Sequence, residues 1–212
     1  MKNVDGLIRS ARELSERGFS KGEIADELNV SRETATWLVE RGSEATPARR
    51  EQQADGGPHD IHVDWSALGR DSARLAYAGM AMADLLSKQG EAVDLTVGIE
   101  KAGGPLATVV ARELDTDIAA YAPRKHHWEE GDIEELEGTF SQNFADIRDR
   151  ECYVVDDTIT SGTTMRETIT SIRDQGGEPV ACVVLVDKHG VEELEGVPVY
   201  SLIQAIRVGN SE

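Results

Sequence analysis

No stretch of the chain constrains the fold more than Glu151-Cys-Tyr-Val-Val-Asp-Asp-Thr-Ile-Thr-Ser-Gly-Thr-Thr164. The apolar run Cys152 to Val155 is β-rich and bounded by charge, which predicts a short buried parallel strand. Two carboxylates follow, Asp156 and Asp157, and then a hydroxyl-rich loop around one glycine, Thr160 to Thr164. Met165, Ile169 and Ile172 recur at three to four residues, so a helix comes next. The order is strand, acidic pair, hydroxyl loop, helix. A helix start has unpaired N–H groups and a positive dipole end, which suits a phosphate. Gly162 lets the backbone come close to an anion. The carboxylates would repel a phosphate, and they fit sugar hydroxyls or a Mg²⁺ ion. The implied ligand is a phosphorylated sugar at the carboxyl end of a parallel strand. The plain structural alternative is an Asp-rich turn with Ser and Thr capping the next helix.

From Val154 to Thr164 the pattern resembles the phosphoribosyl-pyrophosphate (PRPP) signature of type I phosphoribosyltransferases. The resemblance implies that Asp156 and Asp157 face the ribose hydroxyls. It also implies that Thr160, Ser161, Gly162, Thr163 and Thr164 hold the 5-phosphate, with Thr158 counted among the ligand-binding residues.

Composition sets the outer bounds. The 212 residues suffice for one α/β domain and a small extra module. No apolar run approaches the ~20 residues that span a membrane. The first residues lack the apolar core of a signal peptide, so a soluble, cytoplasmic protein is expected. Cys152 and Cys182 both fall in predicted strands and read as small core residues. The net charge is −18, with 40 acidic side chains against 22 basic ones, of which only 6 are lysine. That balance resembles proteins of salt-loaded halophilic cytoplasm, because such a charge repels itself in dilute buffer and needs screening. The charge is uneven. Residues 1–50 carry 9 basic and 9 acidic side chains, and all the excess lies beyond them. A surface that meets nucleic acid would need that exemption.

Val4, Leu7, Ile8, Ala11 and Leu14 share a face, which predicts a helix from Val4 to Arg17 that ends at Gly18. Ser20 and Glu23 form a capping-box pattern opening a second helix, Lys21 to Leu28. Asn29-Val30-Ser31 reads as a tight turn, and Ser31 can cap a third helix, Arg32 to Arg41, with Ala35, Leu38 and Val39 inward. This spacing resembles a helix-turn-helix, in which the third helix enters the major groove. Its outward residues are Arg32, Glu33, Thr36 and Trp37, with Ser31 and Thr34 near phosphates. Arg32 is the candidate for guanine contact. The alternative is a helical cap that packs on the main domain or mediates dimerisation.

Residues 43–60 are polar, with Pro47, Gly56, Gly57 and Pro58 and no periodicity, and read as a linker. The expected organisation is therefore a helical DNA-binding domain over 1–42, the linker, and an α/β effector-binding domain over 61–212. Within the latter, Trp65 to Lys88 predicts one long helix. Val93 to Gly98 predicts a strand, followed by Ile99-Glu-Lys-Ala-Gly-Gly-Pro105 and a helix over Leu106 to Leu114. Strand, glycine-rich loop, helix is again an anion-binding arrangement. It resembles the pyrophosphate loop of the same family, with Lys101 neutralising a phosphate and Gly103 in the loop. Further strands are predicted at Ile118 to Tyr121, Gly177 to Asp187 and Val197 to Ile203. Pro123-Arg-Lys-His-His-Trp128 stands where the family's mobile loop would be. Arg124 and Lys125 match its start, but its second lysine is replaced by His126, His127 and Trp128. Asp187-Lys188-His189-Gly190 reads equally as a ligand contact or a turn.

With head, linker and both loops in order, the chain resembles the haloarchaeal GfcR-type regulators, orotate phosphoribosyltransferase-like proteins associated with control of sugar-catabolism genes. More loosely it resembles the bacterial purine repressor. The resemblance implies a type I phosphoribosyltransferase fold, a parallel sheet flanked by helices, joined to an all-α head. It implies double-stranded DNA and a phosphosugar or PRPP as partners, the latter with Mg²⁺. A homodimer or higher homo-oligomer follows, since paired heads read a two-fold operator. The competing reading is an active orotate-type or purine phosphoribosyltransferase with an incidental cap. Both would share one fold, and fold does not decide between them.

Overall fold

The computed structural model describes residues 4–43, 60–90, 92–123 and 138–205. They form two compact units, Met1–Trp65 and Ser66–Glu212. The linker reading falls mostly on residues outside those described.

The first unit contains helices α1 (Val4–Glu16), α2 (Lys21–Glu27) and α3 (Arg32–Ser43). The apolar stripes meet: Leu7, Ala11 and Leu14 pack with Ile24, Ala25, Leu28, Val30, Ala35 and Leu38. Burying each leucine or isoleucine contributes roughly 1.5–3 kcal/mol, which is most of what holds so small a unit. The caps form as the sequence predicts. Past α1, Phe19 N reaches back to Leu14 O at 3.1 Å. Ser20 N donates to Glu23 Oε2 at 2.8 Å, and Glu23 N to Ser20 Oγ at 3.3 Å. Asn29 takes the left-handed conformation (φ 52°), and buried Val30 plugs the turn.

The second unit runs α4 (Ser66–Gly69), α5 (Ser72–Ser87), β1 (Leu95–Ile99), α6 (Gly103–Leu114), β2 (Asp117–Ala122), β3 (Thr139–Phe140), β4 (Glu151–Ile159), α7 (Thr163–Asp174), β5 (Glu178–Asp187), β6 (Glu193–Leu194) and β7 (Val197–Gln204). The sheet order is β3-β2-β1-β4-β5-β7-β6. Its five central strands are parallel. The edges β3 and β6 pair antiparallel, which the sequence did not suggest because each is two residues long. Met165, Ile169 and Ile172 of α7 pack on Val97, Ile99, Cys152, Val154, Cys182 and Val184. At the amino edge of the sheet Arg150 binds Asp94 Oδ2 at 3.2 Å and Asp117 Oδ2 at 2.7 Å, tying the starts of β1 and β2.

Two predicted elements are corrected. The single helix over Trp65 to Lys88 is two, α4 and α5. Asp71 is extended (φ −126°, ψ 119°), and its carboxylate accepts from Ala73 N at 3.1 Å and Arg74 N at 3.0 Å. Capping the second helix requires breaking the first. Those bonds, Arg74 N first, hold the Asp71 carboxyl below its ordinary range. The strand expected to stop at Val155 continues to Ile159, so the acidic pair lies within the ladder, with Asp156 opposite Val184 and Ile159 opposite Asp187.

Candidate functional site

The parallel strands all end on one edge of the sheet. Next to β4 lies β1, yet β1 leads through α6 to β2 on one side and β4 through α7 to β5 on the other. This reversal opens a crevice between the two strands, the usual ligand position in such sheets. Both loops singled out in the sequence flank it.

Gly103 brings them together. A β-carbon there would stand 2.6 Å from Val155 O, 2.9 Å from Asp156 Cα and 3.1 Å from Asp156 Oδ1. Only glycine permits that approach of α6 to the end of β4. Lys101, two residues before it, is exposed, and the Glu100–Lys101 peptide is cis. Asp156 is partly exposed, and Asp157 is only 9% exposed. Asp157 N donates to Asp156 Oδ1 at 2.8 Å, and Thr158 Oγ1 to Asp157 Oδ2 at 3.1 Å.

Beyond the pair the chain turns at Gly162 (φ 74°) into α7. Ser161 Oγ and Thr163 Oγ1 lie 3.0 Å apart, Ser161 and Thr163 are exposed, and Thr160 and Thr164 are partly so. Arg166 N donates to Gly162 O at 2.9 Å, starting the helix. The amides of Thr164 and Met165 donate no hydrogen bond among the described residues. These are first-turn donors of the kind an anion takes.

The sequence did not mark the residues that brace this loop. Arg166 Nη1 donates to Ser161 O at 2.9 Å, and its Nε lies 3.7 Å from Glu195 Oε1. Leu194 covers Gly162, with a β-carbon there 3.2 Å from both Leu194 methyls. The Glu195 and Leu194 contacts come from the β6–β7 hairpin, some 30 positions on, and no local pattern announces them. Asp187 accepts from His189 N, Gly190 N and Val191 N at 2.8, 2.9 and 2.7 Å, so the Asp187–Gly190 segment is a carboxylate-centred turn. Arg124 and Lys125 lie outside the described residues, as do His126 and His127.

On α3, Arg32 and Glu33 are exposed and Thr36 partly so, its Oγ1 donating to Arg32 O at 2.9 Å. Trp37 is half-buried against the helical core, with the Arg41 guanidinium 4.9 Å over its ring. Thr34 is 8% exposed and bonds Ser31 through both its amide (3.1 Å) and its hydroxyl (2.9 Å), so these two residues cap the helix with each other. Cys152 and Cys182 are free, buried thiols. Among the described residues no helix is long and apolar enough to cross a membrane.

Residues 64–210 match the family model described as phosphoribosyl transferase domain. The protein called transcriptional regulator GfcR of Haloquadratum walsbyi is 70% identical over 98% of this chain and 95% of its own length. Its namesake in Halorubrum lacusprofundi is 70% identical over the full length of both. Among solved structures, the orotate phosphoribosyltransferase of Mycobacterium tuberculosis in complex with PRPP superposes with a TM-score of 0.54 at 20% identity, covering 67% of this chain and 80% of that one. At that identity the likeness concerns the fold alone.

Proposed function

The chain belongs to the archaeal family of transcriptional regulator GfcR and carries a phosphoribosyl transferase domain, and from that premise we propose that it is a DNA-binding transcriptional regulator whose second unit senses a phosphorylated sugar or PRPP. One observation carries the sensing half: the first-turn amides of Thr164 and Met165, which donate no hydrogen bond among the described residues, stand in the same loop as four hydroxyls, just beyond the acidic pair. The amides and hydroxyls take the phosphate, and Asp156 and Asp157 take sugar hydroxyls. Each hydrogen bond to the charged phosphate contributes about 1.5–3 kcal/mol. A Mg²⁺ ion arriving with a diphosphate needs only one or two protein carboxylates, and partly exposed Asp156 suits that part.

The head of three helices reads DNA through α3, with Arg32 toward a base edge. A dimer or higher oligomer pairs two heads on a two-fold operator, and control of sugar-catabolism genes accords with a phosphosugar effector. The effector shifts DNA affinity only as far as its own affinity differs between the two arrangements of the heads.

The experiment is a titration of Thr163→Ala and of the double variant Asp156→Asn, Asp157→Asn with PRPP and with sugar phosphates. Affinity unchanged in both would remove the site. For the head, Arg32→Ala should weaken specific binding by about 1–3 kcal/mol. Equal binding of the wild type to selected and random duplexes would argue against the regulator. The second reading, an active orotate-type or purine enzyme, rests on the same loop and fold. It predicts pyrophosphate release from PRPP with orotate, adenine, guanine or hypoxanthine in high salt with Mg²⁺, and absence of turnover favours the sensor.

A further inference from the structure

Ser31 opens α3, and a carboxylate from 29 residues down the chain takes its backbone amide: Ser31 N donates to Asp60 Oδ2. The other carboxylate oxygen, Asp60 Oδ1, accepts from Ile61 N at 2.7 Å. Three residues past Asp60, Val63 O accepts from Asn29 Nδ2 at 3.4 Å. Asn29 is the left-handed residue of the turn between α2 and α3. Residues 60–63 are thus clasped at both ends across that turn and the start of α3. Only Asp64 and Trp65 separate this strap from Ser66, where the second unit begins.

When a helix-turn-helix docks, the beginning of its second helix faces the major groove and the flanking phosphates. A backbone amide at that point is a donor that phosphates take. A carboxylate held there instead repels the duplex. Resting on the reading of the head as the DNA-binding part, we infer that Asp60–Val63 is an autoinhibitory strap. While Asp60 holds Ser31, α3 meets DNA behind a negative charge, and tight binding requires the strap to withdraw. The strap is covalently continuous with the second unit, so a ligand that changes that unit biases it. The shift in DNA affinity equals the difference in ligand affinity between the two positions of the strap.

The test uses the full chain and a duplex selected from a random library by the wild type, with a random duplex as control, followed by fluorescence anisotropy at several KCl concentrations. Asp60→Asn keeps an oxygen for the Ser31 amide and removes the charge, Asp60→Ala removes both, and Asn29→Gly frees the other end while tolerating the left-handed turn. Both Asp60 variants should bind both duplexes more tightly, by roughly threefold to tenfold at low salt, with the gain shrinking as KCl rises because it is a charge effect. Asn29→Gly should give a smaller gain. Circular dichroism confirms that each variant is folded. Wild-type affinity or weaker in Asp60→Asn, with selected duplex still preferred, makes Asp60 a helix cap and overturns the strap alone. No preference for selected duplex in the wild type, with Arg32→Ala unchanged, overturns the DNA-reading head and the strap with it.

Discussion

The buried hydroxyl of Tyr121 donates to Glu167 Oε1 at 2.9 Å and lies 3.0 Å from Ser171 Oγ. Tyr121 belongs to β2, and its ring packs 4.9 Å from that of Phe140 in β3. Glu167 and Ser171 are one turn apart on α7, the helix whose first turn forms the proposed phosphate cradle. The bond therefore ties one side of the sheet to the cradle's own helix. Gly138 suits its place because a β-carbon there would collide with the Tyr121 hydroxyl.

Tyr121→Phe should lower stability by about 1–3 kcal/mol, since a hydrogen bond to a charged group is lost and its partners stay behind. Urea unfolding in high salt measures this, with the slope unchanged. Phosphosugar affinity should fall in parallel as α7 loses its tether. Wild-type stability would show that the hydroxyl does not hold the helix.

Gly103→Ala should be costlier than its one added methyl suggests. The neighbours it would meet are the backbone of Val155 and Asp156, 2.6 and 2.9 Å away, and backbone yields less readily than a side-chain end. Overpacking of this kind costs about 1–3 kcal/mol. The variant should melt earlier and bind PRPP more weakly, as calorimetry and titration would show. A stable variant with intact binding would mean α6 can move off β4 freely.

Burial, with Glu178 and Asp94 adding to it, pushes the Cys152 thiol up to about 12, and burial raises Cys182 as well. Both thiols stay protonated in the folded chain at neutral and mildly alkaline pH. Unfolded thiols ionise near pH 8.5, so the unfolded state holds fewer protons above that value and stability declines as pH rises past it. Native protein at pH 8 should resist a disulfide reagent such as dithionitrobenzoate and release two equivalents only in denaturant. Rapid labelling of the native protein would contradict the burial.

A net charge of −18 repels itself. The screening length falls from ~10 Å at 0.1 M salt to ~3 Å at 1 M. The melting temperature should therefore climb between dilute buffer and molar KCl, with NaCl having a similar effect. A flat profile would show that the acidic surface does not weigh on the fold.

What the sequence determined by itself was local. The capping box at Ser20, the turn at Asn29, the strand–acid–hydroxyl–helix order around Gly162 and most strand and helix assignments were legible there. Each depends on residues a few positions apart, whose backbone chemistry and apolar period act within one turn or one strand. The tertiary structure decided what needs distant partners. It split the Trp65–Lys88 helix at Asp71, extended β4 through the acidic pair by pairing it with β5, and added the two-residue edge strands. It turned Thr34 inward to Ser31 and half-buried Trp37. It also set Gly103 against Asp156 and placed Leu194 and Arg166 around Gly162. Pairing register, close backbone approach and burial are properties of two surfaces in contact, and a single stretch of chain encodes only one of them.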